Sequence, residues 1–338
     1  MNGRERIMAV LRHQSADCVP VWPFVMGFAA RITHVPYGEY CTDHRALVRA
    51  QAETAQSFNL DAVTIDSDAY REAEACGAVI EFPQDSLPIM RRSAIEDRKQ
   101  FRFRLPQIES SRRLWDKVEG VALANSRMKG ENAVCGWVEA PFQSAAMLRG
   151  LEKLLMDLYD APDFVEQLLD YCCELAIDFA RAQYAAGADI IGMGDAAATM
   201  ISPEVYERLV VPRLRRVVEA LHAAGGLYLK YHICGSSLHL LPMLRDVGFD
   251  IITVDSMVGL ADARACLGGS ICLKGDLNPV TLLLNGTPEQ VLEAARNACA
   301  STGGPLILSA GCEVPVNTPE ENIHALVAAA HETGLQAR

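Results

Sequence analysis

The chain has 338 residues, 50% of them hydrophobic and 22% charged, and 43 Asp and Glu outweigh 31 Lys and Arg for a formal charge of −12. That apolar share supplies one large core or two small ones and excludes a disordered or low-complexity chain. The acidic balance argues against a protein that tracks nucleic-acid phosphates, and no run approaches the ~20 apolar residues of a membrane helix.

The start, Met1-Asn2-Gly3-Arg4-Glu5-Arg6, lacks the apolar stretch of a secretion signal, so a soluble, cytoplasmic protein is expected. Eleven cysteines at irregular spacing fit a reducing compartment, with most thiols packed and a few free to bind metal or react. Cys172-Cys173, inside a helical pattern, reads as packing.

Asn2 is placed to cap a first helix through about Arg12, and Val19-Pro20-Val21-Trp22-Pro23-Phe24 follows as a first strand. Asp43 starts a helix reaching about Phe58, and the β-branched run Ala62-Val63-Thr64-Ile65 reads as the second strand. From about Tyr70 to Gly130 the rhythm breaks: hairpin-like pieces at 78–82 and 101–104 and one polar helix are expected to form an insertion. Runs at 133–138, 189–193, 227–231, 250–254, 270–273 and 305–308 read as the third to eighth strands. Helices opening at Ser202-Pro203, Thr287-Pro288 and Thr318-Pro319 fall between or after them, each with proline in its first turn. Eight strands with helical crossovers predict an α/β fold, a single (β/α)8 TIM barrel over residues 1–338 with the insertion after the second strand. A doubly wound open sheet is the alternative, but no glycine-rich dinucleotide turn follows the first strand.

In a barrel the chemistry sits at the C-terminal ends of the strands. Arg31 follows the first strand, Asp66 and Asp68 the second, Glu139 the third and Asp195 the fourth. His232 and Cys234 follow the fifth, Asp255 the sixth, Asp276 the seventh, and Cys312-Glu313 the eighth. Nearly every strand thus brings a polar or ligating group to one rim. The carboxylates are the less specific part, because each can be a base, a partner that orients a metal-bound histidine, or a helix cap. The sharper set is His232, Cys234 and Cys312. Residues i and i+2 of an extended segment face one side, so His232 and Cys234 can hold one ion, and Cys312 can reach it from the last strand end. Two thiolates and an imidazole suit Zn2+ and leave a fourth position open. With eight His and eleven Cys in the chain, a His-x-Cys pair also arises by chance, and polar core residues are the competing reading.

These segments together resemble the uroporphyrinogen decarboxylase superfamily, and within it the cobalamin-dependent methyltransferases related to methylcobamide:coenzyme M methyltransferase. The carriers include Val19-Pro20-Val21, Pro141-Phe142 before Leu148-Arg149-Gly150, and Gly192-Met193-Gly194-Asp195 with Ile201-Ser202-Pro203. Further along are His232-Ile233-Cys234-Gly235, Lys274-Gly275-Asp276-Leu277-Asn278-Pro279 and Gly311-Cys312-Glu313-Val314-Pro315. The resemblance implies zinc on His232, Cys234 and Cys312, and a thiol activated to take a methyl group from methylcobalamin. It also implies the barrel. No Asp-x-His-x-x-Gly signature of a resident cobalamin is present, so the corrinoid is expected on a separate partner protein. Glu139 and Asp195 are then the candidate catalytic carboxylates. Arg31, Asp66, Asp68, Asp255 and Asp276 are the candidate residues for binding a small-molecule methyl acceptor or donor, with nucleic acid and membrane excluded as partners. Two rival readings stand beside this one. A true decarboxylase needs a basic pocket for a polycarboxylate, and Gly27-Phe28-Ala29-Ala30-Arg31 keeps one arginine of the two in the decarboxylase segment. A non-catalytic partner of a corrinoid protein would keep the metal without turnover.

Overall fold

The computed structural model describes residues 1–336. Seven strands form one parallel sheet: β1 (Ala62–Thr64), β4 (Ala133–Glu139), β5 (Ile190–Gly194), β6 (Tyr228–Ile233), β7 (Ile251–Val254), β8 (Cys272–Leu277) and β9 (Leu306–Ala310), in that spatial order. A separate antiparallel pair, β2 (Val79–Glu81) and β3 (Ile89–Arg92), lies between β1 and β4 in the chain. The seven strands are buried almost throughout, which suits a parallel sheet covered on both faces and explains their near-continuous apolar runs.

The expected first strand is not a regular one. Residues 19–24 meet β9 through two isolated parallel bridges, Val21 to Leu308 and Phe24 to Glu313. Trp22 N–H donates to the Leu308 carbonyl at 3.0 Å, and on the other side Asp61 N–H donates to the Val21 carbonyl at 2.9 Å. The segment therefore lies against both β9 and the start of β1. Pro20 and Pro23 have no N–H to give, which denies it a ladder. Of the two hairpin-like pieces expected in the 70–130 region, residues 78–82 contain β2, which pairs with Ile89–Arg92, whereas residues 101–104 form no strand.

The polar helix Arg112–Met128 packs Leu114, Val118 and Val121 into the core. A small inner cluster at the strand starts joins Ile7 and Met8 of the helix Gly3–Leu11 to Trp22, Ala133, Ile190 and Ile307. That helix begins with a reciprocal cap, Asn2 Oδ1 accepting from Glu5 N–H and Glu5 Oε2 from Asn2 N–H, both at 2.9 Å. It closes the end of the sheet opposite the candidate site. Cys172 and Cys173 are both buried in the helix Pro162–Ala185.

Candidate metal centre

His232 is the fifth residue of β6, Cys234 lies just past its end, and Cys312 follows β9 after Gly311. The period-2 alternation of β6 turns Lys230 and His232 to one side of the sheet and Tyr231 to the other. Gly311 permits the approach of the last loop: a Cβ there would sit 2.4 Å from the Ser256 backbone nitrogen. Cys234 Sγ stands 2.9 Å from His232 Nε2 and 3.6 Å from Cys312 Sγ, and Cys312 Sγ stands 3.9 Å from Nε2. A tetrahedral zinc with Zn–S of about 2.3 Å and Zn–N of about 2.0 Å requires sulfurs roughly 3.8 Å apart and sulfur to nitrogen of roughly 3.6 Å. The three ligand atoms, all within 4.8 Å of one another, approach that triangle with shifts of a fraction of an ångström at each edge, the largest between Cys234 Sγ and His232 Nε2. The donors are soft, and His232 is held with Nε2 toward the sulfurs.

The two thiols differ. The Cys234 S–H and the His232 ring nitrogen, both within reach of the Cys312 sulfur, hold the Cys312 thiol well below its usual range. Cys234 moves the opposite way, because it supplies the hydrogen to Cys312 and is itself buried.

Trp137 on β4 lies across the inner face beside the centre, its ring 6.4 Å from that of His232 and stacked on Phe24 at 5.2 Å. Gly192 on β5 makes room for it, since a Cβ would fall 2.4 Å from the indole. Trp137 Nε1 donates to Glu139 Oε1 at 3.1 Å. Burial, reinforced by the neighbouring Glu72 and Asp66, pushes Glu139 well above the usual carboxyl range.

The other sequence-selected residues divide by what they already bind. Asp66 accepts from Lys117 Nζ at 2.7 Å, and Asp68 pairs with Arg113. Burial works against the Asp68 charge, but that guanidinium overrides it and holds the carboxyl down at about 2. Asp255 accepts from the amides of Gly235 (2.9 Å) and Met257 (3.0 Å), fixing the loops beyond Cys234 and β7. Asp276 lies within β8 rather than after it, because that strand continues to Leu277, and it accepts from Leu260 N–H at 3.0 Å. Arg31 donates to the carbonyls of Val316 (2.5 Å) and Thr318 (3.0 Å), so it braces the loop that follows Cys312. Asp195 accepts from Tyr231 Oη at 2.7 Å on the opposite side of β6 from His232. Its Oδ1 has no partner, and burial lifts it to about 7.

Sequence reasoning gave no role to four further groups. Glu313 accepts from Gly27 N–H at 3.0 Å and is pushed up to about 7 by burial. It lines a cavity of about 630 Å3 with Gly27, Arg31, Tyr37, Asp85 and Val316. Lys117, Lys230 and Lys274 are almost fully buried, and burial lowers the latter two from the usual lysine range. Lys230 was findable, since it shares the i, i+2 face of His232.

A family model described as uroporphyrinogen decarboxylase (URO-D) matches residues 2–333. The chain belongs to the uroporphyrinogen decarboxylase family. Among its relatives are the methylcobamide:CoM methyltransferase MtbA of Methanosarcina acetivorans, 26% identical over 96% of both chains, and the uroporphyrinogen decarboxylase of Myxococcus xanthus, 26% identical over 99% of this chain and 98% of that one. Within the family, then, the first relative is a transferase and the second carries the decarboxylase name. Among solved structures, a methyltransferase from Methanosarcina mazei superposes with a TM-score of 0.90 over 98% of this chain and 99% of that one, at 23% identity. That likeness fixes the fold as α/β, with the curled parallel sheet of a TIM-barrel-like protein.

Proposed function

We propose that this chain is a zinc-dependent methyltransferase that moves a methyl group between a corrinoid, carried on a separate protein, and a thiol or related acceptor. The observation that carries the reading is the convergence of His232, Cys234 and Cys312 at the C-terminal end of the sheet, in a family with methylcobamide:CoM methyltransferases among its members. These three residues would hold the zinc. The ion supplies a Lewis acid that makes a coordinated thiol acidic and leaves a thiolate able to attack carbon.

The chain's own residues prepare that chemistry. Cys312 enters as the more acidic ligand, and His232 presents Nε2. Glu313 keeps Oε1 on Gly27 N–H, which leaves Oε2 to take the proton of an incoming thiol. Glu139, held by Trp137, is a second proton-holding carboxyl beside the centre. Asp195 acts as a positioning residue through Tyr231. Arg31, Asp66, Asp68, Asp255 and Asp276 shape and brace the mouth in which the small substrate binds.

The rim supports docking of a protein that carries the corrinoid. Met200, Leu238, Met257, Val280 and Val316 are exposed apolar side chains in the segments following β5, β6, β7, β8 and β9. Apolar groups recurring on five successive loops suit a partner surface. We read residues 19–24 as the eighth strand of a closed barrel, the 70–130 region as an insertion in a single domain, and the protein as cytoplasmic. Among the described residues no helix is long and apolar enough to cross a membrane.

The decarboxylase reading rests on the full-length similarity to the Myxococcus xanthus enzyme. A polycarboxylate needs cations free at the mouth, whereas Arg31, Arg113 and Lys117 are already engaged by carbonyls or carboxylates. Incubating zinc-loaded protein with methylcobalamin and a panel of thiols, coenzyme M included, tests the proposal. Loss of the methylcobalamin spectrum with formation of the methyl thioether is the expected result. No turnover with any thiol or corrinoid protein, zinc being bound, would favour the non-catalytic partner.

A further inference from the structure

The two sulfurs of the candidate metal centre stand 3.6 Å apart on different elements, Cys234 just past β6 and Cys312 after β9. A disulfide needs a bond of about 2.0 Å, so the pair has roughly 1.5 Å to close. The two ends are not equally free to move. Gly311 sets the Cys312 loop tight against the Ser256 backbone, where a Cβ would fall 2.4 Å from the nitrogen. Gly235, next to Cys234, has a φ of +80°, and a Cβ there would meet nothing nearer than Thr199 at 3.9 Å. The closing movement therefore belongs to the Cys234 side, with the Gly235 N–H bond to Asp255 Oδ2 at 2.9 Å as its pivot.

The buried thiols elsewhere make poorer candidates. Cys41, Cys135, Cys172, Cys173 and Cys272 lie in the interior, and burial pushes each of them up, away from the thiolate that reacts with an oxidant. Cys234 and Cys312 are only partly buried and sit at the strand ends, within reach of a small solute. A reachable cysteine with a second one beside it is the arrangement in which oxidation ends at a disulfide instead of running on to sulfinic and sulfonic acids.

We propose that Cys234 and Cys312 form a reversible redox pair, oxidised by a peroxide to a disulfide. One sulfur attacks the peroxide: an S–O bond forms as the O–O bond breaks, and the first water leaves. The second sulfur then attacks that sulfenic acid: the S–S bond forms as the S–O bond breaks, and the second water leaves. The two sulfurs lose two electrons, the peroxide gains them, and both thiol hydrogens end in the waters. A disulfide offers no thiolate, so the cluster is left with His232 alone as a donor. The inference goes beyond methyl transfer, and the sulfur chemistry does not need the metal. Where zinc is held as proposed above, oxidation of the pair expels it, and reduction by a small thiol restores the site.

Metal-free full-length protein treated with stoichiometric hydrogen peroxide, alkylated and digested, tests this by peptide mass spectrometry. The expected product is a peptide pair cross-linked through Cys234 and Cys312, two hydrogens lighter than its reduced parts and separated by dithiothreitol. Peroxide that oxidises other cysteines first, or that takes Cys312 to the sulfinic acid with no cross-link, overturns the proposal. Cys234→Ser must remove the cross-link and let Cys312 run on to the sulfinic acid. Should that variant not fold, the wild-type map decides alone. Zinc-loaded protein under the same treatment should lose its metal to a chromogenic chelator in step with the cross-link. A cross-link in protein that never binds zinc sinks the metal reading alone, whereas bound zinc with no cross-link in either form sinks this inference alone.

Discussion

Among the described residues, two clusters bring three metal-capable side chains within reach of one point, and they differ in what their donor atoms already do. In one, Asp43, His44 and Asp116 meet where two helices approach. Asp43 caps its helix by accepting from Arg45 N–H at 2.8 Å. Asp116 Oδ1 lies 2.9 Å from both the amide and Nδ1 of His44, and Asp116 Oδ2 accepts from the buried Arg71 at 2.9 Å. Its ligand atoms are consumed by capping and ion pairing. In the other, the ligand atoms of His232, Cys234 and Cys312 contact chiefly one another, at the strand ends where a barrel does its chemistry. Proximity alone ranks the clusters together; the state of the donors separates them.

The comparison is broken most directly by removing donors. Cys312→Ser and His232→Ala are expected to lower zinc affinity at least about tenfold and abolish methyl transfer while far-UV circular dichroism stays native. Zinc retained at wild-type affinity in both would dissolve the assigned ligand set. In the other cluster, Asp116→Asn should leave zinc binding untouched but cost about 1–3 kcal/mol in urea unfolding, since Arg71 loses its charged partner. Loss of zinc in that variant would reverse the ranking.

A smaller effect is expected at the rim. Val316→Asp or Met257→Asp should raise the KM for a corrinoid protein severalfold while turnover with free methylcobalamin stays level. Equal effects on both substrates would argue that these side chains serve the site rather than a partner. The smallest effect is a slope. Burial lifts Asp195 to about 7, so the folded state binds its proton more tightly than the unfolded chain does. Stability from this group is therefore complete near pH 4 and is lost as pH rises toward 7. The urea midpoint of Asp195→Asn should fall less steeply over that window than that of the wild type.

Most strand positions and the shared side of His232 and Cys234 were legible because both rest on short-range rules: β-branched apolar runs between helix caps, and the i, i+2 spacing of an extended segment. What was illegible depends on partners distant in sequence. Residues 19–24 carry the apolar pattern of a strand, but two prolines remove the donors a ladder needs. Ile89–Arg92 is three-quarters polar or exposed and gains strand character only by pairing with β2. Arg31 reads as a substrate cation until the loop carrying Val316 and Thr318 is seen to occupy it. Glu313 sits beside a predicted ligand, yet its burial depends on Gly27, 286 residues away.

Zinc content of untagged full-length protein, reconstituted with zinc and then dialysed against a weak chelator, tests the central claim most directly. The account predicts about one zinc per chain, retained on dialysis, with two sulfur and one nitrogen ligands in the X-ray absorption fine structure. Protein that stays folded and holds no zinc after reconstitution would contradict it and return His232, Cys234 and Cys312 to the core as packing residues.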